Sequence, residues 1–221
     1  MLQKFLIISI TNLCWSQRTK SIQRINMAAA KEAKNILRKE MKRRISRMSI
    51  EEKQRQSTQV ATKLFAMKEF NDSSRISVFL SMKDEIDTFT IMERIFELKK
   101  QCFIPRYIGS KMNMVELKSL SDYVSLPVTN WNIKQPSDDD IRPDAMDTGG
   151  LDLIIVPGLA FTKQGHRLGR GKGYYDKYIV KYNRNGFVSP ITIALAFNVQ
   201  ICDFVPTSSN DVAINHVIYS D

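Results

Sequence analysis

The chain has 221 residues, of which 43% are hydrophobic and 25% are charged, and its formal net charge is +10. This composition is typical of a globular protein that can bury its own core, and it excludes a disordered, collagen-like or coiled-coil chain. The three cysteines are widely separated and show no CxxC spacing, which excludes a disulfide framework or a zinc site and fits a reducing compartment. The longest apolar run, 5–10, is too short to cross a bilayer.

The net positive charge comes entirely from the N-terminal quarter of the chain. Residues 1–55 carry 14 Lys and Arg against 4 Asp and Glu, whereas residues 56–221 carry 19 of each. A basic region invites a nucleic-acid-binding interpretation, which requires interleaved aromatic side chains or a recognisable module. Residues 28–55 contain no aromatic side chain. We therefore expect neither a nucleic acid nor, given the short apolar run, a membrane as partner.

Residues 1–27 have two open interpretations. No acidic residue precedes Glu32, while Arg, Lys and Ser recur, which is the composition of a mitochondrial transit peptide. The alternative is an upstream extension without function, because the Met-Ala-Ala-Ala at 27–30 looks like an ordinary translation start. The protein is therefore expected in the cytoplasm, or in mitochondria if residues 1–26 act as a transit peptide. The folded domain is expected over 28–221.

Helical and strand periodicities alternate in the first half of the chain. Apolar residues at three- to five-residue spacing predict a basic amphipathic helix over roughly 30–47. Ser49 and Glu52 form a capping-box pattern that opens a second helix, which ends at about residue 70. A strand (75–80), a helix (89–100) and a second strand (102–105) then predict a β-α-β unit with two parallel strands.

The second half continues this pattern. A strand at 114–120 is expected to form a hairpin with the preceding strand, and residues 121–150 are expected to be mostly loop. The nearly continuous apolar run 151–157 is typical of a strand buried on both faces. A helix (174–185) and two strands (192–197 and, at the sheet edge, 212–219) follow. We therefore predict a single α/β domain with a central, mostly parallel mixed sheet flanked by helices and preceded by a basic helical pair.

A glycine-rich basic segment lies between the buried strand and the helix that opens at Tyr174. Its glycines leave backbone N–H groups bare and allow positive φ, so the segment can fold around phosphate oxygens at the carboxyl end of the sheet. The spacing excludes a Walker A motif and a GxGxxG dinucleotide motif. Taken alone, these residues also fit a flexible surface turn. They are Gly165, Arg167, Gly169, Arg170, Gly171, Lys172 and Gly173.

The run 157–176, with RLGRGKGYYD at its end, resembles the signature of the 5-formyltetrahydrofolate cyclo-ligase family. The likeness extends over nearly all of 28–221 and includes FLSMKDEI at 79–86, TGGLD at 148–152 and ALAF at 194–197. The resemblance implies a ligase that closes 5-formyltetrahydrofolate to 5,10-methenyltetrahydrofolate, uses ATP and Mg²⁺, and releases ADP and phosphate. It implies phosphorylation of the formyl oxygen, followed by attack of N10 and formation of a C–N bond. The partners would be small molecules, the folate in some cases polyglutamated, and the protein a monomer.

The resemblance also implies a set of ATP-binding residues. Lys34 and Arg38 would reach the phosphates from the first helix, where their spacing of four places them on one face. A solvated basic face is the alternative interpretation of that pair. Within the glycine-rich segment, Arg170, Lys172 and Tyr174 would be catalytic. The segment's ATP-binding residues would be Arg167, Leu168, Gly169, Arg170, Gly171, Lys172, Gly173, Tyr174 and Tyr175.

The implied folate site draws on other parts of the chain. Leu80 and Glu85 match its positions after the first strand, and Glu85 would accept hydrogen bonds from the pterin ring. Trp131 is either a stacking residue for the folate or a core tryptophan. Arg106 or Lys83 is a hypothetical partner for a glutamate tail. The folate would also contact the segment residues Arg170, Gly171, Lys172, Gly173 and Tyr174.

Two carboxylates are implied as ligands of Mg²⁺, a hard cation that takes few carboxylates and several waters or phosphate oxygens. Asp176 lies in the first turn of the helix that follows the glycine-rich segment. Asp211 follows an asparagine in a polar turn and by itself indicates only a turn. We assign no general base, because the formyl oxygen would leave as phosphate.

Two competing interpretations concern the whole protein. One is the nucleic-acid-binding protein considered above. The other is a different small-molecule phosphotransferase or ligase on the same type of fold. ATP hydrolysis measured with and without 5-formyltetrahydrofolate distinguishes all three.

Overall fold

A computed structural model describes residues 28–129 and 133–220. Its helices are α1 (28–46), α2 (Ile50–Ala66), α3 (Lys68–Asp72), α4 (Phe89–Glu97), α5 (Leu120–Ser125) and α6 (Tyr174–Arg184). Its strands are β1 (Arg75–Ser77), β2 (Gln101–Ile108), β3 (Lys111–Leu117), β4 (Leu153–Val156), β5 (Ala160–Phe161), β6 (Arg167–Leu168), β7 (Ile191–Ala196) and β8 (His216–Tyr219). Short 3₁₀ turns occur at Ala145–Asp147 and Asn198–Gln200.

Six strands form one mixed sheet in the order β3-β2-β1-β4-β7-β8. Every pairing is parallel except the hairpin of β2 with β3. The predicted single α/β domain with a mostly parallel sheet is therefore confirmed. The chain leaves β1 toward β2 on one side and leaves β4 toward β7 on the other. Ligand clefts of open α/β sheets form at such a reversal, beyond the carboxyl ends of the strands.

The predicted buried strand lies at the centre of the sheet. All four residues of β4 are fully buried, because helices cover both faces of a parallel sheet. Tyr182 of α6 secures the approach to this strand: its hydroxyl donates to the Leu151 carbonyl at 3.1 Å and accepts from the Leu151 N–H at 2.5 Å.

The two N-terminal helices pack through few residues. Met41 and Ile45 of α1 are buried in the core. One half of the predicted capping box is confirmed, since the Ser49 hydroxyl accepts from the Glu52 N–H at 3.1 Å and caps α2. The carboxylate of Glu52, predicted as the other half, accepts from Arg55 and Gln56 instead.

The observed elements differ from the predicted ones mainly at their ends. The backbone is extended at Met67 and interrupts the helix there, so the second predicted helix is divided into α2 and α3. Strand β2 runs past Pro105 to Ile108. Because β1 ends opposite Phe103, no strand pairs with β2 at Pro105 on that side, and the N–H that proline lacks is not needed there. The small β5–β6 hairpin was not predicted. Within 28–129 and 133–220, no helix combines the length and apolarity that a membrane span needs.

Candidate active site

Two cavities open beside each other at the carboxyl ends of β1 and β4. The cleft has a volume of about 280 Å³, and its walls include Leu80, Glu85, Tyr107, Arg170, Lys172 and Tyr174. The basic groove has a volume of about 780 Å³, and its walls include Lys34, Arg38, Arg170, Gly171, Lys172 and Ser208. Arg170 and Lys172 thus belong to both cavities. A ligand in the cleft and a ligand in the groove would meet at these two cations.

The β5–β6 hairpin places the glycine-rich segment at this junction. Its ladder closes through the Leu159 N–H and the Leu168 carbonyl, 2.7 Å apart. Gly165 stands in the turn with φ of +89°, and a Cβ there would lie 2.1 Å from the Ile214 carbonyl oxygen. The Gly165 carbonyl accepts from the Ile214 N–H at 2.9 Å. Only glycine fits this position, which fastens the segment to the C-terminal part of the chain.

A buried ion pair holds the end of the segment against α6. Arg167 donates to the Asp176 carboxylate at 2.8 Å and to the Pro157 carbonyl at 3.2 Å, with only 4% of its side chain exposed. The second oxygen of Asp176 accepts from the Val212 N–H at 3.1 Å. Asp176 therefore joins the segment to the loop that contains Asp211.

Helix α1 forms the opposite wall of the groove. Arg38 donates from Nε to the Gly169 carbonyl at 3.0 Å, and Lys34 pairs with Asp211 at 2.5 Å. Partial burial by itself raises the pKa of Asp211, but hydrogen bonds from Lys34 and Ser208 outweigh it and lower the pKa below its ordinary value. These contacts close the groove between α1, the glycine-rich segment and the loop 207–211.

Glu85 and Arg170 form an ion pair at the mouth of the cleft. The Glu85 Oε1 atom accepts from Nη2 of Arg170 at 2.8 Å and from Nε at 3.1 Å. Its other oxygen accepts from the Met82 N–H at 3.0 Å. Only 9% of the Glu85 side chain is exposed. The structure therefore brings together a residue predicted for the folate and a residue predicted for catalysis.

Aromatic rings form another wall of the cleft. The ring centroids of Tyr107 and Tyr174 are 4.9 Å apart, and the Tyr174 hydroxyl donates to the Gly109 carbonyl at 2.8 Å. Burial raises the pKa of Tyr107 and of Tyr175, so both phenols are neutral at physiological pH. Sequence reasoning missed Tyr107, because the strand was predicted to end at Pro105. Extending the predicted strand by two residues would have placed Tyr107 on the same face as Pro105, since residues two apart share a face of a strand.

The predicted site residues separate into three groups. Ten line the cleft: Leu80, Glu85, Arg167, Gly169, Arg170, Lys172, Gly173, Tyr174, Tyr175 and Asp176. Five line the groove: Lys34, Arg38, Arg170, Gly171 and Lys172. The third group has three members. Leu168 is buried in the core, and Asp211 lies beside the groove, where it pairs with Lys34. Trp131 lies outside the described residues.

Three charged residues near the cleft line neither cavity and bind other groups. Arg106 lies on the face of β2 opposite Pro105 and Tyr107, and it donates to the Asp140 carbonyl at 2.8 Å. Asp84 pairs with Lys53 at 2.6 Å, and Asp87 accepts from the Phe89 N–H at 3.0 Å. These contacts do not support Arg106 as a partner for a glutamate tail.

The two predicted metal ligands match magnesium in chemistry but are already paired. Their carboxylate oxygens are the hard donors that Mg²⁺ prefers. Asp176 is bound by Arg167 and Val212, and Asp211 by Lys34 and Ser208. In the described ranges, no group of three or more His, Cys, Asp or Glu side chains could hold a metal ion. Magnesium would therefore fit only with oxygens from another ligand, such as phosphates.

The fold and the two adjoining cavities are those of an α/β enzyme that acts on small molecules. Residues 30–220 match the model of the 5-formyltetrahydrofolate cyclo-ligase family. The chain belongs to that family and is a ligase, so the resemblance seen in the sequence is confirmed.

Relatives and solved structures agree with this assignment. A mouse protein named 5-formyltetrahydrofolate cyclo-ligase is 48% identical over 191 residues, which are 86% of this chain and 94% of the mouse chain. A Caenorhabditis elegans protein named as a probable 5-formyltetrahydrofolate cyclo-ligase is 39% identical over 87% of this chain and 95% of its own. The 5,10-methenyltetrahydrofolate synthetase of Aquifex aeolicus superimposes with a TM-score of 0.69 at 27% identity, covering 84% of this chain and 88% of that structure.

Proposed function

We propose that this chain uses ATP to close 5-formyltetrahydrofolate to 5,10-methenyltetrahydrofolate, with release of ADP and phosphate. The observation that carries the proposal is the junction at Arg170 and Lys172, which line both the cleft and the groove. A phosphoryl group that passes from one ligand to the other must cross such a junction. Cations there stabilise its charge during transfer.

The basic groove is the proposed site of the nucleotide. Lys34, Arg38 and Lys172 supply positive charge, and Gly171 lets the backbone approach the phosphates. The contacts of Arg38 with Gly169 and of Lys34 with Asp211 fix α1 against the glycine-rich segment. The groove is thereby preorganised for a polyanion.

The cleft is the proposed site of the folate. Leu80 and the rings of Tyr107 and Tyr174 suit the flat pterin, and Glu85 suits its N–H groups. Arg170 links the two ligands in this proposal. A phosphate at the junction competes for the guanidinium, and the Glu85 carboxylate is then released to the pterin.

In the proposed reaction the protein forms no covalent bond to either ligand; it positions them and neutralises charge. An amide-like formyl oxygen leaves poorly, so the γ-phosphoryl group of ATP is transferred to it. N10 then attacks the formyl carbon and loses its proton to solvent, the new C–N bond forms, and the formyl oxygen departs with phosphate. Arg170 and Lys172 neutralise the transferring group while Tyr174 holds the folate beside them.

Asp176 and Asp211 are the residues that would hold Mg²⁺. When bound, the ion would shield the phosphate charges of ATP. Arg167 and Lys34, which now pair with these carboxylates, would hold Asp176 at the wall of the cleft and Asp211 beside the groove.

We also propose that 28–221 is the catalytic domain, and that 1–27 is either a transit peptide or an upstream extension. The protein would act in mitochondria in the first case and in the cytoplasm in the second. Because one chain forms both cavities, we propose a monomer that acts on small molecules and binds neither nucleic acid nor membranes.

The decisive experiment follows the absorbance of the methenyl product with purified protein, ATP and Mg²⁺. We expect product and ADP to form together and only when 5-formyltetrahydrofolate is present. Nucleotide turnover that does not depend on the folate would contradict the proposal and favour a different phosphotransferase.

A further inference from the structure

The wall of the cleft contains a pair of phenols whose position no predicted role explains: Tyr107 has no predicted role, and Tyr175, predicted to bind ATP, lies away from the groove proposed for the nucleotide. Tyr107, on β2, lines the cleft, and so does Tyr175, in the first turn of α6. Neither residue lines the basic groove. The Tyr175 hydroxyl is buried and has no hydrogen-bond partner of normal geometry. Buried hydroxyls in native proteins are rarely left in this state, so it calls for an explanation.

Tyr107 is held in place through its backbone. Its N–H donates to the Gln135 side-chain oxygen at 3.0 Å, and its carbonyl accepts from the Gln135 amide at 3.1 Å. The ring packs against Tyr174. Tyr107 is half-buried, whereas Tyr175 is only 5% exposed. Tyr107 is therefore the more exposed of the two phenols, and the hydroxyl of the deeper Tyr175 interacts with that of Tyr107.

The other polar groups of the cleft indicate what Tyr107 would recognise. Glu85 is an acceptor and suits N–H groups, while Arg170 and Lys172 carry charge and stand at the junction with the groove. A neutral phenol donor suits an oxygen without charge. Both tetrahydrofolate derivatives used below carry such an oxygen on the pterin ring and another in the aminobenzoyl amide, and the 5-formyl compound carries one more on its formyl group.

We propose that the Tyr107 hydroxyl donates a hydrogen bond to an uncharged carbonyl oxygen of the folate, and that Tyr175 is a positioning residue that supports Tyr107 from behind. This inference rests on the proposed function, which places the folate in the cleft.

The test measures the Kd of 5-formyltetrahydrofolate, without nucleotide, for the full chain and its phenylalanine variants. Tyr107→Phe keeps the ring and loses the hydroxyl, and we expect the folate Kd to rise about 3- to 10-fold. Tyr175→Phe should raise it less, and should add nothing in the double variant because it acts through Tyr107. The Kd of ATP should stay within about twofold in all three variants, as expected for residues outside the groove.

Tyr178→Phe is the matched control. Tyr178 lies three residues further along α6, is 3% exposed and also has a hydroxyl without a partner, but it lines neither cavity. Removal of the Tyr178 hydroxyl should leave the folate Kd unchanged. An equal rise with Tyr178→Phe, or a larger effect on ATP than on folate, would overturn the inference.

A second ligand shows whether the formyl oxygen is the acceptor. With 5-methyltetrahydrofolate, which lacks the formyl oxygen, Tyr107→Phe loses affinity only if the acceptor is one of the carbonyls that both compounds share. Either pattern supports the inference, provided that the 5-formyl compound loses affinity. Absence of turnover by the unaltered protein would contradict the proposed function and this inference together. Normal turnover with an unchanged folate Kd in Tyr107→Phe would overturn this inference alone.

Discussion

Lys172 is exposed at the junction of the two cavities, where the proposed transfer takes place. Lys172→Ala should lower kcat by about 100- to 1,000-fold, because it removes a cation that stabilises the transferring phosphoryl group. The folate Kd should change by less than about threefold, since Glu85 and the aromatic wall remain. Steady-state rates and equilibrium binding measure the two effects. Lys163→Ala, an exposed lysine that lines neither cavity, is the control, and near-normal turnover of Lys172→Ala would refute the role.

In the proposed function, Glu85 is the acceptor that the cleft offers to the pterin ring. Glu85→Gln should weaken folate binding by about tenfold, because a charge-assisted hydrogen bond becomes a neutral one. ATP binding should change less, and binding titrations with each ligand provide the comparison. Asp84→Asn alters the adjacent acid, which pairs with Lys53 instead, and should leave both affinities unchanged. If ATP affinity falls more than folate affinity, Glu85 serves the nucleotide.

At the scale of elements, the β5–β6 hairpin depends on Gly165. Gly165→Ala should reduce the free energy of unfolding by roughly 3 kcal/mol, from positive φ and from the clash with the Ile214 carbonyl. Gly186→Ala is the matched control: its φ is +78° but no atom lies within 4 Å of the added Cβ. Its cost should be about 1 kcal/mol. Urea unfolding measures both, and equal losses would show that the close approach to Ile214 contributes nothing.

Helix α5 is secured by a salt bridge that makes its stability depend on pH. Arg142, 7% exposed in its side chain, donates to both carboxylate oxygens of Asp122 at 2.6 and 2.7 Å. These hydrogen bonds lower the pKa of Asp122. A carboxyl with a depressed pKa stabilises the fold above its unfolded pKa of about 4 and loses that contribution as pH falls through the folded value.

Asp122→Asn should therefore destabilise the protein by about 2 kcal/mol at pH 7, and by progressively less as the pH falls below about 4. Urea unfolding at several pH values measures the difference from the unaltered protein. Glu97→Gln, in the exposed pair with Arg94, should cost less than about 0.5 kcal/mol. A deficit for Asp122→Asn that stays constant from pH 7 to pH 2 would contradict the linkage.

The sequence predicts elements whose signals are local and misses contacts made between distant parts of the chain. The apolar run at β4, the Ser49 cap and the β2–β3 hairpin each depend on neighbouring residues, and all three are confirmed. The tie between Arg38 and the Gly169 carbonyl spans 131 residues. The Glu85–Arg170 pair spans 85. No spacing along the chain encodes such contacts, so the junction of the cavities emerges only in three dimensions.

At the scale of the whole molecule, the basic N-terminal quarter contributes directly to the site. Lys31, Lys34 and Arg38 line the groove, within eleven residues of Met27. A chain that starts at Met27 should therefore keep normal kcat and KM, because α1 remains. If 1–26 are a transit peptide, the full chain should enter mitochondria and the shortened one should stay in the cytosol. Import of both chains would show that the mitochondrial targeting signal lies outside residues 1–26. Cytosolic retention of both would favour an extension without function.

The pairing of Lys34 with Asp211 joins positions 177 residues apart, and this has a consequence for synthesis on the ribosome. A nascent chain can fold its central strands while the loop 207–211 is still inside the exit tunnel, but the wall opposite α1 is then missing. The groove consequently cannot form until the loop 207–211 has left the exit tunnel. Nascent chains stalled before that point should not bind ATP, and emergence of this loop should mark the appearance of nucleotide binding.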